Sequence, residues 1–139
     1  MIRAKSMDFA VRIVKFYKYL CDEKKEFVMS KQILRSGTSI GANVSESKNA
    51  QTTPDYLTKM NIALKEADET LYWLELLFRS EYITKDEYQS LCDDLKEIIA
   101  ILVSIVKKTK RKRKINNPFT FHLSPFNFQF STFYFQLST

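Results

Sequence analysis

Apolar residues recur at alternating steps of three and four between positions 57 and 78, and this spacing constrains the fold more than any other feature. Such steps keep one side of an α-helix apolar, as in the heptad repeats of coiled coils. The preceding Thr53-Pro54-Asp55 supplies a capping residue, a proline suited to the first helical position and an acid in the first turn. We therefore predict a helix of about 26 residues, or about 39 Å. Its seam consists of Leu57, Met60, Leu64, Ala67, Leu71, Leu74 and Phe78.

A second seam with the same spacing lies between positions 88 and 105. It follows Thr84 and Glu87, which have the spacing of a capping box. Because only the short segment 80–83 separates the two helices, we predict that they form an antiparallel hairpin. The second seam consists of Tyr88, Leu91, Leu95, Ile98, Leu102 and Ile105.

Two further helices are predicted upstream, over residues 4–21 and 30–50, with a charged loop between them. Packed against the hairpin, they complete an all-α fold, an up-down antiparallel four-helix bundle with coiled-coil-like packing. We place this domain at residues 1–114. The predicted apolar face of the first helix consists of Ala10, Ile13, Val14, Tyr17 and Leu20.

The segment 30–46, called the signature segment below, holds the only two glycines of the chain, Gly37 and Gly41. A glycine inside a helix costs about 1 kcal/mol relative to alanine. We therefore expect these glycines to let a neighbouring helix approach closely. A polar stripe on the same helix favours a structural network with a neighbouring helix, and a ligand site is the alternative. The stripe consists of Arg35, Ser39, Asn43 and Glu46.

The signature segment resembles that of the 23S rRNA intervening sequence protein family. A second stretch, residues 63–74, is also similar to the family, and the resemblance covers about residues 5–110. It implies a small bacterial four-helix bundle without catalytic activity. A related protein, the accessory protein of diversity-generating retroelements, forms a homopentamer that binds nucleic acid and a reverse transcriptase. The matching residues of the signature segment are Gln32, Leu34, Arg35, Ser36, Ser39, Ile40, Ala42, Asn43, Val44 and Glu46.

Basic residues are concentrated in residues 107–114, called the basic run below. The chain has 22 basic and 16 acidic residues, and seven of the basic residues lie in this run. The rest of the chain therefore has 15 basic residues and a net charge of −1. The run can contact nucleic-acid phosphates, or it can only solvate and cap a helix C-terminus; an anionic membrane surface ranks lower. We predict nucleic-acid binding through Lys107, Lys108, Lys110, Arg111, Lys112, Arg113 and Lys114.

Both hairpin helices are apolar beyond their seams, and this second face suggests contacts between subunits. We therefore expect a homo-oligomer, with a pentamer favoured because of the family resemblance. The alternative is a broad apolar stripe that is buried entirely within one subunit. The additional apolar residues are Ile62, Trp73, Leu76, Leu77, Cys92, Ile99, Ile101, Val103 and Val106.

The last 21 residues, 119–139, are three consecutive phenylalanine-rich heptapeptides without a charged residue. Their alternation favours a strand over a helix, but no sheet is predicted for them to join. We interpret the segment 115–139 as a tail outside the bundle, disordered or not natively packed. A repeat of seven residues corresponds to a repeat of 21 nucleotides, so we interpret the heptapeptides as a reading frame that runs into repetitive DNA. A functional aromatic tail is the alternative.

The sequence offers little for catalysis or for a cofactor. Its only histidine, His122, lies in the tail, and Cys21 and Cys92 lack metal-ligand spacing. Glu66 and Glu69 lack the Glu-x-x-His motif of di-iron bundles. We expect no metal and no cofactor, and the chain has neither a signal-peptide core nor a membrane span. We predict a cytoplasmic, non-enzymatic adaptor whose partner is RNA, DNA or another structured nucleic acid, with or without a protein. A protein-interaction scaffold without nucleic-acid binding is the alternative.

Overall fold

The computed structural model describes residues 1–116, so the predicted heptapeptide tail at 119–139 lies outside the described residues. Four helices follow one another in this part of the chain. Residues 1–109 form one compact unit, and residues 110–116 belong to a second unit, in which they are helical. The predicted domain boundary after residue 114 stays a prediction. The helices are α1 (Ile2–Asp22), α2 (Met29–Ser47), α3 (Thr53–Arg79) and α4 (Lys85–Asn116).

The contacts between helices confirm the predicted antiparallel bundle. Between α1 and α2, Ser6 approaches Gly41 and Ile13 approaches Gly37, so these two helices are antiparallel. Between α2 and α3, Arg35 pairs with Glu69. The α2–α3 contacts and the α1–α4 contacts are also antiparallel, because residues later in one helix meet residues earlier in the other. Helix α3 contacts α4 near the loop that joins them. These further contacts are Ser36–Thr70, Glu46–Lys59, Arg12–Asp94, Lys5–Glu97 and Phe78–Tyr88.

The core combines both predicted seams with apolar residues from α1 and α2. Four seam residues are half-buried rather than buried, namely Leu71, Phe78, Tyr88 and Ile105. The largest fully buried side chains come from all four helices, and all of them except Thr70 are apolar. They are Phe9, Ile13, Leu20, Ile33, Ile40, Met60, Thr70, Leu74, Leu77, Leu95, Ile98 and Leu102.

The predicted face of α1 is wrong for three of its five residues. Ile13 and Leu20 are buried as expected, but Val14 is exposed, and Ala10 and Tyr17 are half-buried. The helix is rotated so that its core residues are Ser6, Phe9, Ile13, Phe16 and Leu20. This rotation buries two phenylalanine rings, which remove more apolar area from water than the valine and alanine of the predicted face.

Local hydrogen bonds cap the start of each hairpin helix, α3 and α4. The cap of α3 is Thr52, one residue before the predicted Thr53, because the Thr52 hydroxyl accepts from the Asp55 N–H at 3.2 Å. The predicted capping box of α4 is confirmed: the Thr84 and Glu87 side chains each accept from the other's backbone N–H at 3.2 Å. Each of these two helices therefore begins at a cap made by residues that are close together in the chain.

Helix α3 ends in a Schellman motif that the sequence does not signal with a glycine. Glu81 occupies the left-handed conformation at φ 65°. The Tyr82 N–H donates to the Leu77 carbonyl, and the Glu81 N–H donates to the Phe78 carbonyl. These two bonds satisfy carbonyls that would otherwise lack a partner at the helix end.

The start of α2 lies against Glu26, a residue of the predicted charged loop that is buried. The Glu26 carboxylate accepts from the backbone N–H groups of Val28 (3.0 Å), Met29 (2.9 Å) and Ser30 (2.7 Å). These are first-turn donors that have no partner within the helix. Burial favours the neutral acid, but the three N–H groups and the Ser30 hydroxyl outweigh it and lower the pKa of Glu26.

Much of the second apolar face of α3 and α4 is buried within the subunit. Leu77, Cys92, Ile99 and Val106 belong to the core. The other five residues of that face are half-buried, which leaves only part of the predicted contact surface accessible. They are Ile62, Trp73, Leu76, Ile101 and Val103.

Candidate functional site

The two glycines of the signature segment lie where α2 approaches α1. A Cβ atom placed on Gly37 would be 2.9 Å from Ile13 Cγ1, and one placed on Gly41 would be 3.1 Å from the backbone carbonyl oxygen of Ser6. Both separations are shorter than ordinary carbon contacts. The predicted close approach of a neighbouring helix is confirmed, and the neighbour is α1.

Arg35 joins α2 to α3 through two carboxylates. Its guanidinium binds Glu69, and its Nη1 lies 3.4 Å from Glu66 Oε2. Burial raises the pKa of Glu66, and the nearby Glu69 adds to this rise while Arg35 opposes it. Because the Arg35 side chain is 51% exposed, the stabilisation by these pairs is modest.

Glu46, at the other end of the polar stripe, also reaches α3. Its carboxylate lies 2.7 Å from the Lys59 ammonium, and this bond raises the pKa of Lys59. Ser39 and Asn43 do not cross to another helix. Their side chains donate to the backbone carbonyls of Arg35 and Ser39, four residues earlier on the same helix. The stripe therefore works as the predicted structural network through its two charged members.

A buried hydroxyl pair lies beside this network and was not singled out from the sequence. The Thr70 hydroxyl lies 2.9 Å from the Ser36 hydroxyl and also bonds to the Glu66 carbonyl of its own helix. Both residues are fully buried. A threonine at seam spacing among apolar residues is the only signal that could have indicated it. The pair gives the α2–α3 interface a polar contact that specifies its register.

Two polar atoms of α3 are buried without a hydrogen-bond partner among the described residues. They are Oδ1 of Asp68 and Nε1 of Trp73. Burial raises the pKa of Asp68 to about 6. No sequence pattern singles out Asp68, which directly follows the seam residue Ala67.

The basic run lies in the last part of α4, which is helical as far as Asn116. All seven basic side chains are exposed, whereas Thr109 between them is half-buried and donates to the Ile105 carbonyl at 2.7 Å. Within residues 1–116, no basic side chain of the run pairs with an acid. The run is therefore a series of cations that face solvent.

The described residues offer no cluster for a metal ion and an unfavourable environment for a thiolate at Cys92. Among residues 1–116, no three His, Cys, Asp or Glu side chains are close enough together to hold a metal ion. Cys92 is buried, and this burial raises the pKa of its thiol, which disfavours the reactive thiolate. None of the four described helices has the length and apolar character needed to cross a membrane.

Comparisons with known proteins agree with this geometry. The family model of the 23S rRNA-intervening sequence protein matches residues 1–104. A crystal structure of a protein of unknown function from the S23 ribosomal protein family of Bacteroides thetaiotaomicron has 61% sequence identity and a TM-score of 0.76. The match covers 77% of this chain and 99% of that one. No curated protein matches the chain significantly. With three quarters of its length matched by the family model, the chain belongs to the 23S rRNA-intervening sequence protein family.

Proposed function

We propose that this protein is a non-enzymatic, oligomeric adaptor that binds RNA or another structured nucleic acid through the basic run. The observation that carries the proposal is the exposure of seven cations within eight residues of α4, without acidic partners among the described residues. Cations that are not already neutralised can contact phosphates. Each contact releases counterions and contributes affinity that does not depend on base sequence.

The distribution of charge supports this choice of surface. Outside the basic run the chain has a net charge of −1, so the rest of the protein has no general attraction for a polyanion. The cations of the bundle that lie near acids are paired with them, as Arg12 is with Asp94 and Arg35 with Glu69. Phosphate binding is therefore expected at the basic run rather than over the whole surface.

Assembly into a homo-oligomer, with a pentamer favoured, is the second part of the proposal. An exposed apolar stripe on α1 supports it, formed by Met7 (60% exposed), Val11 (49%) and Val14 (37%) at helical spacing. The half-buried remainder of the α3–α4 face adds to the apolar surface. A ring would present one basic run per subunit, so a single RNA could engage several of them and bind with avidity.

The test neutralises the run without changing its helical character. The variant carries Gln in place of Lys110, Arg111, Lys112 and Arg113, and its affinity for labelled single-stranded RNA is measured by anisotropy over a range of salt concentrations. Removing about four phosphate contacts should lower the slope of log affinity against log salt by about 3. Affinity should fall for all RNA sequences alike, with the circular dichroism melt unchanged. The same substitutions at Lys15, Lys18, Lys24 and Lys31 are the matched control.

The second candidate function is a protein-interaction scaffold without nucleic-acid binding. The exposed stripe on α1 favours it, because an apolar surface of this kind also suits a protein partner. Equal RNA affinity and equal salt slope for the wild type and the neutralised variant would reject the RNA-binding adaptor and leave the scaffold.

A further inference from the structure

A polar concavity of about 440 Å³ lies where the loop between α2 and α3 meets α4. It is contained within the compact unit formed by residues 1–109. The loop brings together the end of α2, the capped start of α3 and one residue of α4. The lining residues that matter for its chemistry are Ser47, Lys48, Gln51, Thr53, Tyr56 and Thr109.

The lining contains a cation and neutral polar groups but no carboxylate. Lys48 and Gln51 are exposed, and the Lys48 ammonium forms no ion pair with another described residue. The Asp55 N–H at the start of α3 is already bonded to the Thr52 hydroxyl. The binding capacity of the concavity therefore rests on its side chains and not on the helix terminus.

A second concavity, between α1 and α4, has the opposite character. Two of its acids, Asp94 and Glu97, are paired with Arg12 and Lys5, and Asp8 adds a further carboxylate. Those pairs neutralise its cations and its remaining charge repels anions. Of the two concavities, only the one at the α2–α3 loop suits a negatively charged ligand.

The α2–α3 concavity lies beside the start of the basic run, the surface proposed to bind a polyanion. Thr109 lines it, and the two preceding residues, Lys107 and Lys108, are exposed cations of the basic run. Lys48 lies at the end of α2 in the same lining. The basic run therefore begins on the segment of α4 that lines the concavity, and Lys48 is the cation within the lining.

The neutral groups of the lining can interact with the base and the ribose of an unpaired ribonucleotide. Tyr56 is half-buried and contributes an aromatic ring, and bases of any sequence can stack on such a ring. The Gln51 amide and the Thr53 hydroxyl can bond to a ribose 2′-hydroxyl, the group that distinguishes RNA from DNA.

We propose that this concavity is a subsite for one unpaired nucleotide of single-stranded RNA, with a base stacked on Tyr56 and a phosphate at Lys48. The inference rests on the proposed RNA binding and deepens it. The basic run supplies affinity that RNA and DNA share, and the concavity supplies a preference for unpaired RNA.

The first experiment compares oligouridine with oligodeoxyuridine, which differ only in the 2′-hydroxyl. The wild-type protein should bind the RNA more tightly. Gln51→Ala combined with Thr53→Ala should abolish this preference, and Tyr56→Leu should weaken RNA binding by about fivefold or more. Lys31→Gln, on an exposed residue near the other end of α2, should change neither quantity. Equal binding of the two oligonucleotides by the wild type would overturn the proposal.

A second experiment uses only the wild-type protein, so it does not depend on whether a variant folds. Oligouridine that contains 4-thiouridine is crosslinked by light, and the protein is digested with trypsin. The crosslink should map to the peptide 49–59, which contains Tyr56. Crosslinks confined to the peptides of the basic run would overturn the subsite and leave the proposed function intact. Absence of any RNA binding would overturn both.

Discussion

Gly41 of α2 lies against the backbone of Ser6 of α1, so closely that a Cβ atom on Gly41 would be 3.1 Å from the Ser6 carbonyl oxygen. A backbone oxygen inside a helix cannot rotate away as a side chain can. The glycine therefore sets how closely the two helices approach, and the cost of a glycine in a helix is offset by that contact.

Gly41→Leu should destabilise the bundle by about 1–3 kcal/mol, because overpacking forces α1 and α2 apart. Urea denaturation followed by circular dichroism measures the change. Ala42→Leu is the matched control, since Ala42 is the next residue on the same helix and is exposed. Equal stability of the two variants would contradict the role of the close approach.

Glu26→Gln should destabilise the protein by about 1–2 kcal/mol near neutral pH, because it weakens three charge-assisted bonds to the start of α2. The pKa of Glu26 is lower in the folded state than its ordinary value of 4.5. The unfolded state therefore binds more protons, and the stabilisation is complete above pH 4.5 and is lost as the pH falls through the folded pKa. Melts of both proteins between pH 7 and pH 3 should converge at the acid end.

The control for this loss is Glu23→Gln, which changes an exposed glutamate of the same loop. It should leave the melting temperature at neutral pH nearly unchanged. A constant difference between the wild type and Glu26→Gln at every pH would show that Glu26 does not act through its charge.

Asp68→Asn should stabilise the protein at pH 7.5. The pKa of Asp68 is raised from 3.8 to about 6, so the folded state binds more protons and Asp68 favours folding less as the pH rises through 6. Because the side chain is only half-buried, we expect a gain of about 1 kcal/mol rather than the full value of the shift. The gain should disappear at pH 4. Asp93→Asn, at an exposed position of α4, is the comparison variant.

A double-mutant cycle on Arg35 and Glu69 should give a coupling energy of about 0.3–1 kcal/mol. Arg35→Met and Glu69→Gln are the single changes, and the cycle is measured by urea denaturation. Since Arg35 is half exposed, 1 M NaCl should reduce the coupling. A coupling that salt does not affect would mean that the two side chains interact through packing and not through charge.

Val11→Glu should lower the mass of the oligomer in light scattering, because it places a charge in the exposed apolar stripe of α1. The comparison variant is Ala100→Glu, at an exposed small residue of α4. Dissociation of the second variant alone would move the subunit contact to α4. A wild-type protein that is monomeric at micromolar concentration would reject the proposed assembly.

The sequence by itself determined the four helices, their order and the hairpin of α3 and α4. These features depend on residues close together in the chain. Heptad spacing describes one side of a single helix, and the Thr84–Glu87 box forms within one turn. The shared face of the polar stripe also follows from spacing, which favoured a structural network but could not show that only Arg35 and Glu46 reach another helix.

Tertiary structure decided the rotation of each helix and the partners of its polar groups. The apolar stripe of α4 is broad enough for several orientations, and only packing against the rest of the bundle placed Cys92 and Ile99 in the core while leaving Ile105 half-buried. Likewise, nothing in the sequence distinguishes Glu26 from an exposed loop glutamate, and only the folded structure shows that it is buried against the start of α2. Helical periodicity predicts an apolar face but does not determine which orientation of that face packing selects, because packing depends on atoms far apart in the chain.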